Sequence, residues 1–310
     1  MNRRRALGQH FLRPGEVLRE LLEPLGDAKP HEVVAEVGAG RGSLTRLLAA
    51  GDGPLVVSAE LDERLCAEAA EAVRGSWRVE LVCGDAYSVI RRFDYLVSSP
   101  PYSMSSRTIE WLASKGFRLA SLLLQEEFVE KMSLAPSSRR YGAISAFSQL
   151  AFRISVGRRV GPGSFSPAPR VRSRLVLLRP RVLMTEREAR WALSQLRRLF
   201  SRGRGRASKV CRDLGIEGCG DGRIRDLSPR EAMALAAALP ARRGFGAPPE
   251  VRGGGPGGRG ASEEGAGAGV RDGVRHSRAI RLGRGEPGGL LGCEPRGIGR
   301  VEGEVPGNPP

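Results

Sequence analysis

The chain has 310 residues, and its 40% apolar content is enough to bury a sizeable core in about two domains. Lys and Arg outnumber Asp and Glu by 50 to 34, and the resulting net charge of +16 predicts a polyanionic partner. The sequence contains no apolar run of the roughly 18 residues that a membrane span needs, and the basic N-terminus lacks the apolar stretch of a signal peptide. We therefore expect a soluble cytoplasmic protein without a membrane partner.

The cysteine pattern argues against a metal-binding protein and against a disulfide-rich protein. They are five in number and scattered along the chain, and no C-x-x-C pair occurs. We therefore expect neither a structural metal site nor a disulfide framework.

Seven runs rich in Val, Ile and Leu alternate with helical stretches up to residue 180, and these runs predict strands. They lie at residues 31–38, 54–61, 79–85, 93–100, 121–127, 151–157 and 173–180. Such runs with helices between them indicate an α/β fold with a Rossmann-like, mostly parallel sheet that is covered on both faces. Because no helix separates the last two runs, we expect them to form an antiparallel pair at one edge.

The remainder of the chain differs in character. Residues 186–200 have a helical pattern, and Ser228-Pro-Arg-Glu before an Ala/Leu run is a strong helix start. We therefore predict a sheet domain over 1–181 and a small helical domain over 182–245. The segment 246–310 holds 20 Gly and 8 Pro but no aromatic residue, so we expect a disordered tail.

A glycine loop follows the first predicted strand, with Gly38, Gly40 and Gly42 at alternate positions before a helical stretch. Glycines at this point let the backbone turn tightly and approach a ligand at the switch point of the sheet. The spacing is tighter than the dinucleotide pattern and suits a nucleoside without a pyrophosphate, such as S-adenosylmethionine. Glu36, just before the loop, either faces the positive charge of this cofactor or caps loop amides.

Acidic residues end the next two predicted strands. Glu60 is placed where a carboxylate can accept both ribose hydroxyls of an adenosyl group, although Asp62 is a rival that could also N-cap the following helix. Asp85, in Cys-Gly-Asp-Ala, can accept a hydrogen bond from the adenine amino group or can form an Asx turn. The order of these strand ends predicts an adenosyl-binding site.

The fourth predicted strand leads into Ser99-Pro100-Pro101-Tyr102, in which two prolines end the strand rigidly. The Ser99 side chain and the Pro100 carbonyl can both accept hydrogen bonds from one exocyclic amino group, and Tyr102 offers a stacking face. The alternative is a rigid turn with a core tyrosine. Phe165 lies in a proline-stiffened loop, where we expect it near the surface, either stacking on a flipped base or anchoring the loop. Methyl transfer to an amine needs such positioning.

Together these residues resemble the family of ribosomal RNA adenine dimethyltransferases, small-subunit enzymes that convert two adjacent adenosines to N6,N6-dimethyladenosine. The resemblance runs from about residue 6 to residue 239. It also covers Gly-Gln-His-Phe-Leu at 8–12 and Leu-Gln-Glu-Glu at 124–127. It implies that S-adenosylmethionine is the cofactor, and that ribosomal RNA in an immature small ribosomal subunit is the partner of a monomeric enzyme. The residues matching the cofactor contacts of the family are His10, Leu12, Gly38, Glu60, Asp85 and Ser99.

Ser99 departs from the family, which typically has Asn-Leu-Pro-Tyr or Asn-Ile-Pro-Tyr at this tetrad. The serine side chain is shorter than that of asparagine and lacks the amide N–H donor. Its hydroxyl oxygen can still accept a hydrogen bond from an N–H group. This departure leaves two alternatives open. One is a ribosome-assembly factor that binds RNA with weak or lost methylation, and the other is a DNA amino-methyltransferase, in which Ser-Pro-Pro-Tyr is a known variant.

The basic residues concentrate near the predicted helical domain. Residues 198–207 resemble the basic RNA-facing helix of the family, but Gly203 and Gly205 interrupt them, and a continuous helix would prefer better formers. The stretch from Arg170 to Arg212 carries 14 Lys and Arg, which we expect to hold RNA phosphates.

Overall fold

The computed structural model describes residues 10–13, 15–26, 28–202, 205–216 and 220–240. All of them belong to one compact unit within residues 1–268. The predicted tail at 246–310 lies outside the described residues, and so does Gly203. No helix in the described ranges is long and apolar enough to cross a membrane.

The described residues form nine strands. They are β1 (Phe11–Leu12), β2 (Val33–Val37), β3 (Leu55–Glu60), β4 (Val79–Cys83), β5 (Tyr95–Ser98), β6 (Leu119–Gln125), β7 (Phe152–Val160), β8 (Phe165–Ser166) and β9 (Ser173–Pro180). Seven of them form the central sheet in the order β4-β3-β2-β5-β6-β9-β7, while β1 and β8 pair with each other.

Ten α-helices accompany these strands in the described ranges. They are α1 (Glu16–Leu22), α2 (Ser43–Ala49), α3 (Glu63–Ala72), α4 (Ala86–Val89), α5 (Ser105–Leu112), α6 (Glu126–Ser133), α7 (Ala143–Ala151), α8 (Glu186–Ser201), α9 (Ala207–Asp213) and α10 (Pro229–Ala237).

The sheet is parallel from β4 to β6 and antiparallel beyond it. Strands β2, β3, β4, β5 and β6 pair in parallel, whereas β9 runs antiparallel to both β6 and β7. This confirms the predicted parallel sheet and the predicted antiparallel pair at its edge. Since parallel strands end at the same edge, the loops after β2, β3, β4 and β5 meet there.

The core covers both faces of the sheet, as the continuous apolar runs predict. Along β6, Leu122 and Leu124 contribute to one apolar cluster, while Leu119 and Leu123 contribute to another on the opposite face. This alternation is the two-residue period of a strand. Leu196 of α8 belongs to the first cluster, so the core continues past residue 181. The division into two domains at this point therefore stays a prediction.

The two helices predicted after the sheet are present, and each begins with a capping box. Thr185 accepts a hydrogen bond from the Glu188 amide at 3.2 Å, and the Glu188 carboxylate accepts from the Thr185 amide at 2.6 Å. Ser228 and Glu231 form the same arrangement before α10. Helix α8 ends at Ser201 and α9 begins only at Ala207, as expected for a helical pattern that Gly205 interrupts.

The expectation that the chain has no disulfide is wrong. Cys66 of α3 and Cys83 at the end of β4 are bonded, with their Cα atoms 5.7 Å apart, and Cys211 is also disulfide-bonded. Helix α3 packs against β4, and this packing brings together two cysteines that are 17 residues apart in the chain. No local sequence pattern marks such a pair, because tertiary packing brings its members together.

Arg78, just before β4, is a buried cation without a carboxylate partner in the described part of the chain. It is 6% exposed, and its guanidinium donates to the carbonyls of Ala49 at 2.8 Å, Gly51 at 2.6 Å and Pro54 at 2.6 Å. These carbonyls lie at and beyond the end of α2, where a helix leaves acceptors without intrahelical partners. The helix dipole places negative charge at the same end. Arg78 therefore caps α2 from a distant part of the chain.

Replacing Arg78 by Met should lower the free energy of unfolding by about 2–4 kcal/mol, since several carbonyl groups around its buried side chain would lose their donor. Urea unfolding followed by circular dichroism measures the change. Arg74→Met is the matched control, because the Arg74 side chain is 77% exposed and, among the described residues, pairs only with Glu71. We expect about 0.5 kcal/mol or less for this control. Equal effects of the two substitutions would contradict the capping role of Arg78.

Candidate functional site

A cavity of about 470 Å³ lies at the edge where the parallel strands end. Its volume is in the range of small-molecule sites. Most of the site residues predicted from the sequence line it, namely His10, Gly38, Gly40, Glu60, Asp85, Ser99, Pro100, Tyr102 and Phe165. Leu12 instead lines a smaller cavity of about 60 Å³, which shares part of its wall with the first. The fold therefore brings the predicted residues together.

The glycine loop forms one wall of this cavity. Gly38 has φ of +81°, and a Cβ at this position would meet no atom within 4 Å. Gly40 has φ of +58°, and a Cβ there would lie 3.1 Å from Cδ1 of Phe11. Both φ values favour glycine. The loop thus leaves open space beside Gly38, while Phe11 packs closely on Gly40.

Glu60 ends β3 at the wall of the cavity, and both of its carboxylate oxygens accept backbone hydrogen bonds. Oε2 accepts from the Gly40 amide at 2.8 Å, and Oε1 accepts from the Asp62 amide at 2.9 Å. Each oxygen keeps a further lone pair for a ligand. Asp62 N-caps α3, with Oδ1 accepting from the Arg64 and Leu65 amides at 3.0 and 3.3 Å. Both carboxylates line the cavity, so the choice of Glu60 over Asp62 as the ligand-binding carboxylate stays a prediction.

Asp85 forms the turn that is one of its two predicted roles, and it also lies at the cavity. Its Oδ1 accepts from the Tyr87 amide at 3.2 Å, so the residue N-caps α4 in an Asx-type turn. The same carboxylate lines the cavity. Its Oδ2 accepts from Nη2 of Arg107 at 2.7 Å. Capping a helix therefore does not remove Asp85 from the site.

The proline tetrad follows β5 and forms a further part of the cavity wall. Ser99 is half-buried and Pro100 is buried, while Tyr102 begins a 3-10 turn over Tyr102–Met104. The Tyr102 hydroxyl shares a hydrogen bond of 2.5 Å with Oγ of Ser173, which fixes the plane of the ring. Burial raises the pKa of Tyr102, so the phenol stays neutral at physiological pH. The wall thus combines oxygen acceptors with a fixed aromatic face.

Phe165 lines the cavity, but the expectation that it lies near the surface is wrong. Its side chain is 1% exposed, because β8 pairs with the N-terminal strand and Leu12 lies opposite Phe165. Nδ1 of His10 donates to the Pro167 carbonyl at 2.8 Å across the same pair of segments. These contacts join residues more than 150 positions apart, so the proline-rich sequence around Phe165 could not reveal them.

Three further lining residues escaped the sequence reasoning. Leu61 is 73% exposed at the cavity, where an apolar side chain can cover a flat ring. Arg41 lines the smaller cavity, and its guanidinium carbon lies 5.1 Å from the centre of the Phe11 ring that packs on the glycine loop. Arg107 projects from the first turn of α5 towards Asp85. Of these three residues, only Leu61 offered a sequence signal, because it directly follows Glu60.

Glu36, in β2, is a buried carboxyl group beside the smaller cavity. Its Oε2 accepts from the hydroxyls of Thr45 and Ser58, both at 2.7 Å, rather than from loop amides, so the capping alternative is wrong. Burial raises its pKa from 4.5 to about 7, with a smaller contribution from the charge of Glu60, while the two hydroxyls act in the opposite direction. The group therefore changes charge near neutral pH.

The raised pKa of Glu36 should make the unliganded protein less stable as pH rises from about 4.5 to about 7. The folded state holds the proton more tightly than the unfolded state, so this contribution is present at low pH and is lost through that window. Glu36→Gln keeps an acceptor for both hydroxyls and should remove the loss, which is up to about 3–4 kcal/mol for a pKa raised from 4.5 to about 7, at about 1.4 kcal/mol per pKa unit. Urea unfolding of both proteins at pH 5 and pH 8 measures the difference. If the free energy of unfolding changes equally with pH in both proteins, the pKa of Glu36 is not raised.

Known proteins resemble this chain over most of its length. The family model described as "Ribosomal RNA adenine dimethylase" matches residues 1–215. A ribosomal RNA small subunit methyltransferase A from Geobacter metallireducens is 32% identical over 257 residues, covering 78% of this chain and 90% of that protein. A probable enzyme of the same name from Pyrococcus abyssi is 34% identical over 219 residues, covering 68% and 78%.

Solved structures support the same fold. A dimethyladenosine transferase from Plasmodium falciparum has a TM-score of 0.61 at 24% identity, covering 73% of this chain and 96% of the other. The 23S rRNA methyltransferase ErmE has a TM-score of 0.50 at 24% identity, covering 74% and 99%. Because the family model spans more than half of the sequence and the Geobacter relative covers most of it, the chain belongs to the ribosomal RNA adenine dimethylase family, whose members dimethylate adenine in ribosomal RNA.

Proposed function

We propose that this chain uses S-adenosylmethionine to place two methyl groups on N6 of each of two adjacent adenosines in small-subunit ribosomal RNA. Its substrate is an immature small ribosomal subunit, and it acts as a monomer in the cytoplasm, where such subunits assemble. One observation carries the proposal: a single cavity joins the glycine loop, two strand-end carboxylates and the Ser99 tetrad. These are the groups that an adenosyl donor and an amine acceptor require.

The chemistry of the cavity suits the cofactor. Glu60 would accept the ribose hydroxyls on the lone pairs that the backbone amides leave free, and Asp85 would accept from the adenine amino group. The open space beside Gly38 would admit the amino acid end, and His10 and Leu12 would border it from the N-terminal strand. When bound, S-adenosylmethionine supplies a methyl group already activated by its sulfonium.

The protein's part in the reaction is to orient the target amine. The Ser99 hydroxyl and the Pro100 carbonyl would accept its two N–H groups, which leaves the nitrogen lone pair directed at the methyl donor. The Tyr102 ring, fixed through Ser173, would stack on the target base, while Phe165 closes the wall of the cavity. Positioning of this kind accounts for much of the rate when the leaving group is already activated.

The basic surface begins at the edge of the cavity. Arg197 of α8 donates from Nη2 to Oγ of Ser106 at 2.7 Å, and Ser106 precedes the cavity-lining Arg107. Arg206, further along the same basic stretch, is exposed. This path supports an RNA-binding surface that runs from α5 along α8 to α9. Phosphate contacts there would hold the substrate while the tetrad selects the amine.

Ser99→Ala should lower the rate of methylation by about 5- to 150-fold and leave RNA affinity nearly unchanged. The lost hydrogen bond develops fully only as the nitrogen becomes tetrahedral, so the effect belongs in turnover. Ser99→Asn should retain or raise the rate. Mass spectrometry of digested RNA measures mono- and dimethyladenosine after incubation with immature small subunits. Ser103→Ala is the matched control, an exposed serine on the same wall outside the tetrad.

The same measurement separates the two alternatives that Ser99 leaves open. A chain that methylates nothing until Ser99→Asn is introduced would be a binding factor. Transfer to duplex DNA, with no transfer to small-subunit RNA, would indicate a DNA amino-methyltransferase. If Ser99→Ala methylates RNA at the same rate as the unmodified chain, the other residues of the tetrad position the amine without Ser99.

RNA affinity should fall steeply with salt, because binding releases counterions. Replacing Arg197 and Arg206 by Gln should reduce the slope of log affinity against log salt by about 1.4 to 1.8, which is 0.7–0.9 per charge. Titration of labelled small-subunit RNA between low and physiological salt measures the slope. The matched control replaces Arg46 and Arg64, exposed residues of α2 and α3. If the control reduces the slope by the same amount, the RNA-binding surface does not lie at Arg197 and Arg206.

A further inference from the structure

We propose that Arg107 is a positioning residue that holds the Asp85 carboxylate for the adenine amino group of the cofactor and so sets the preference for adenine. This inference rests on the proposed cofactor and adds a residue that neither the sequence pattern nor the cofactor proposal includes. Arg107 lines the same cavity as Asp85 and lies on α5, the helix that follows the Ser99 tetrad.

The contacts of Asp85 limit the directions in which its carboxylate can bind a ligand. Oδ1 accepts from the Tyr87 amide at 3.2 Å and Oδ2 accepts from Arg107 at 2.7 Å, while the Ser88 hydroxyl is more distant from Oδ2 at 3.4 Å. An anchor on each oxygen prevents rotation of the group. The remaining lone pairs are then held in place beside the cavity, where a donor of the ligand can meet them.

Arg107 is itself held by an aromatic platform. Its guanidinium carbon lies 4.4 Å from the centre of the Tyr87 ring, close enough for a cation–π contact. The Tyr87 hydroxyl shares a hydrogen bond of 2.8 Å with Thr108, and the ring of Trp111 packs edge-on at 5.5 Å. Burial raises the pKa of Tyr87, which keeps the phenol neutral. The guanidinium therefore has a fixed plane and a fixed partner.

Stability alone does not explain this arrangement. The side chains of Arg107 and Asp85 are 49% and 34% exposed, and ion pairs with this degree of exposure contribute little to folding. The pair lies at a ligand cavity, where a few fixed polar groups determine the orientation and identity of the ligand. An acceptor that is held in place selects an amino group over a carbonyl oxygen, since two facing acceptors leave both unpaired.

The experiment compares two ligands by calorimetry, without RNA. S-adenosylhomocysteine carries the adenine amino group, and S-inosylhomocysteine has a carbonyl oxygen in its place. Arg107→Met should weaken binding of the adenosyl compound about tenfold, which corresponds to about 1.4 kcal/mol, and should leave binding of the inosyl compound unchanged. Arg107→Lys, which keeps the charge but loses the planar fork, should weaken adenosyl binding less. The melting temperature should stay the same.

Three further variants complete the test. Arg92→Met, an exposed arginine before β5, is the matched control and should alter neither affinity. Asp85→Asn should reduce the preference for adenine, and adding Arg107→Met to it should have little further effect, because both act through one carboxylate. Equal weakening of the two ligands by Arg107→Met, or none, would overturn the positioning role. If the unmodified chain binds neither ligand, the cofactor assignment itself fails.

Discussion

The hydrogen bonds of the Glu60 carboxylate hold together the two loops on which the cavity depends. One oxygen accepts from Gly40 in the loop after β2, and the other accepts from Asp62 in the turn after β3. A second hydrogen bond joins the glycine loop to β3 itself, because the Gly38 amide donates to the Ala59 carbonyl at 2.9 Å. Removing this carboxylate would leave loop amides without acceptors as well as removing a ligand contact. The position of the glycine loop and the proposed ribose site therefore have one physical cause.

The N-terminal strand completes the cavity from the other side. Phe11 packs on Gly40, and the pairing of Leu12 with Phe165 buries the ring that the sequence alone placed near the surface. The centres of the His10 and Tyr102 rings are then 5.9 Å apart. A short strand with no role in the central sheet thus connects the two halves of the site. The proposed cofactor contacts at His10 and Leu12 depend on this pairing.

The sheet could be predicted from local patterns, whereas several details of the site could not. Continuous apolar runs identified the seven central strands, because strands buried on both faces leave little room for polar residues. The capping box at Ser228 identified the start of α10 in the same way, since its hydrogen bonds join neighbouring residues. The disulfide between Cys66 and Cys83 has no such local signal. The pairing of Arg107 with Asp85 joins two helices and has none either.

The sequence by itself determined the α/β class, the order of the strand ends and the residue types that they carry, including Glu60, Asp85 and Ser99. These features depend on interactions within a few residues and on the rule that parallel strands end at one edge. Only the tertiary structure decided that Asp85 meets Arg107 and that Phe165 is buried beneath the N-terminal strand. Both contacts join segments that are distant in the chain, and their geometry follows from the packing of whole helices and strands rather than from local preference.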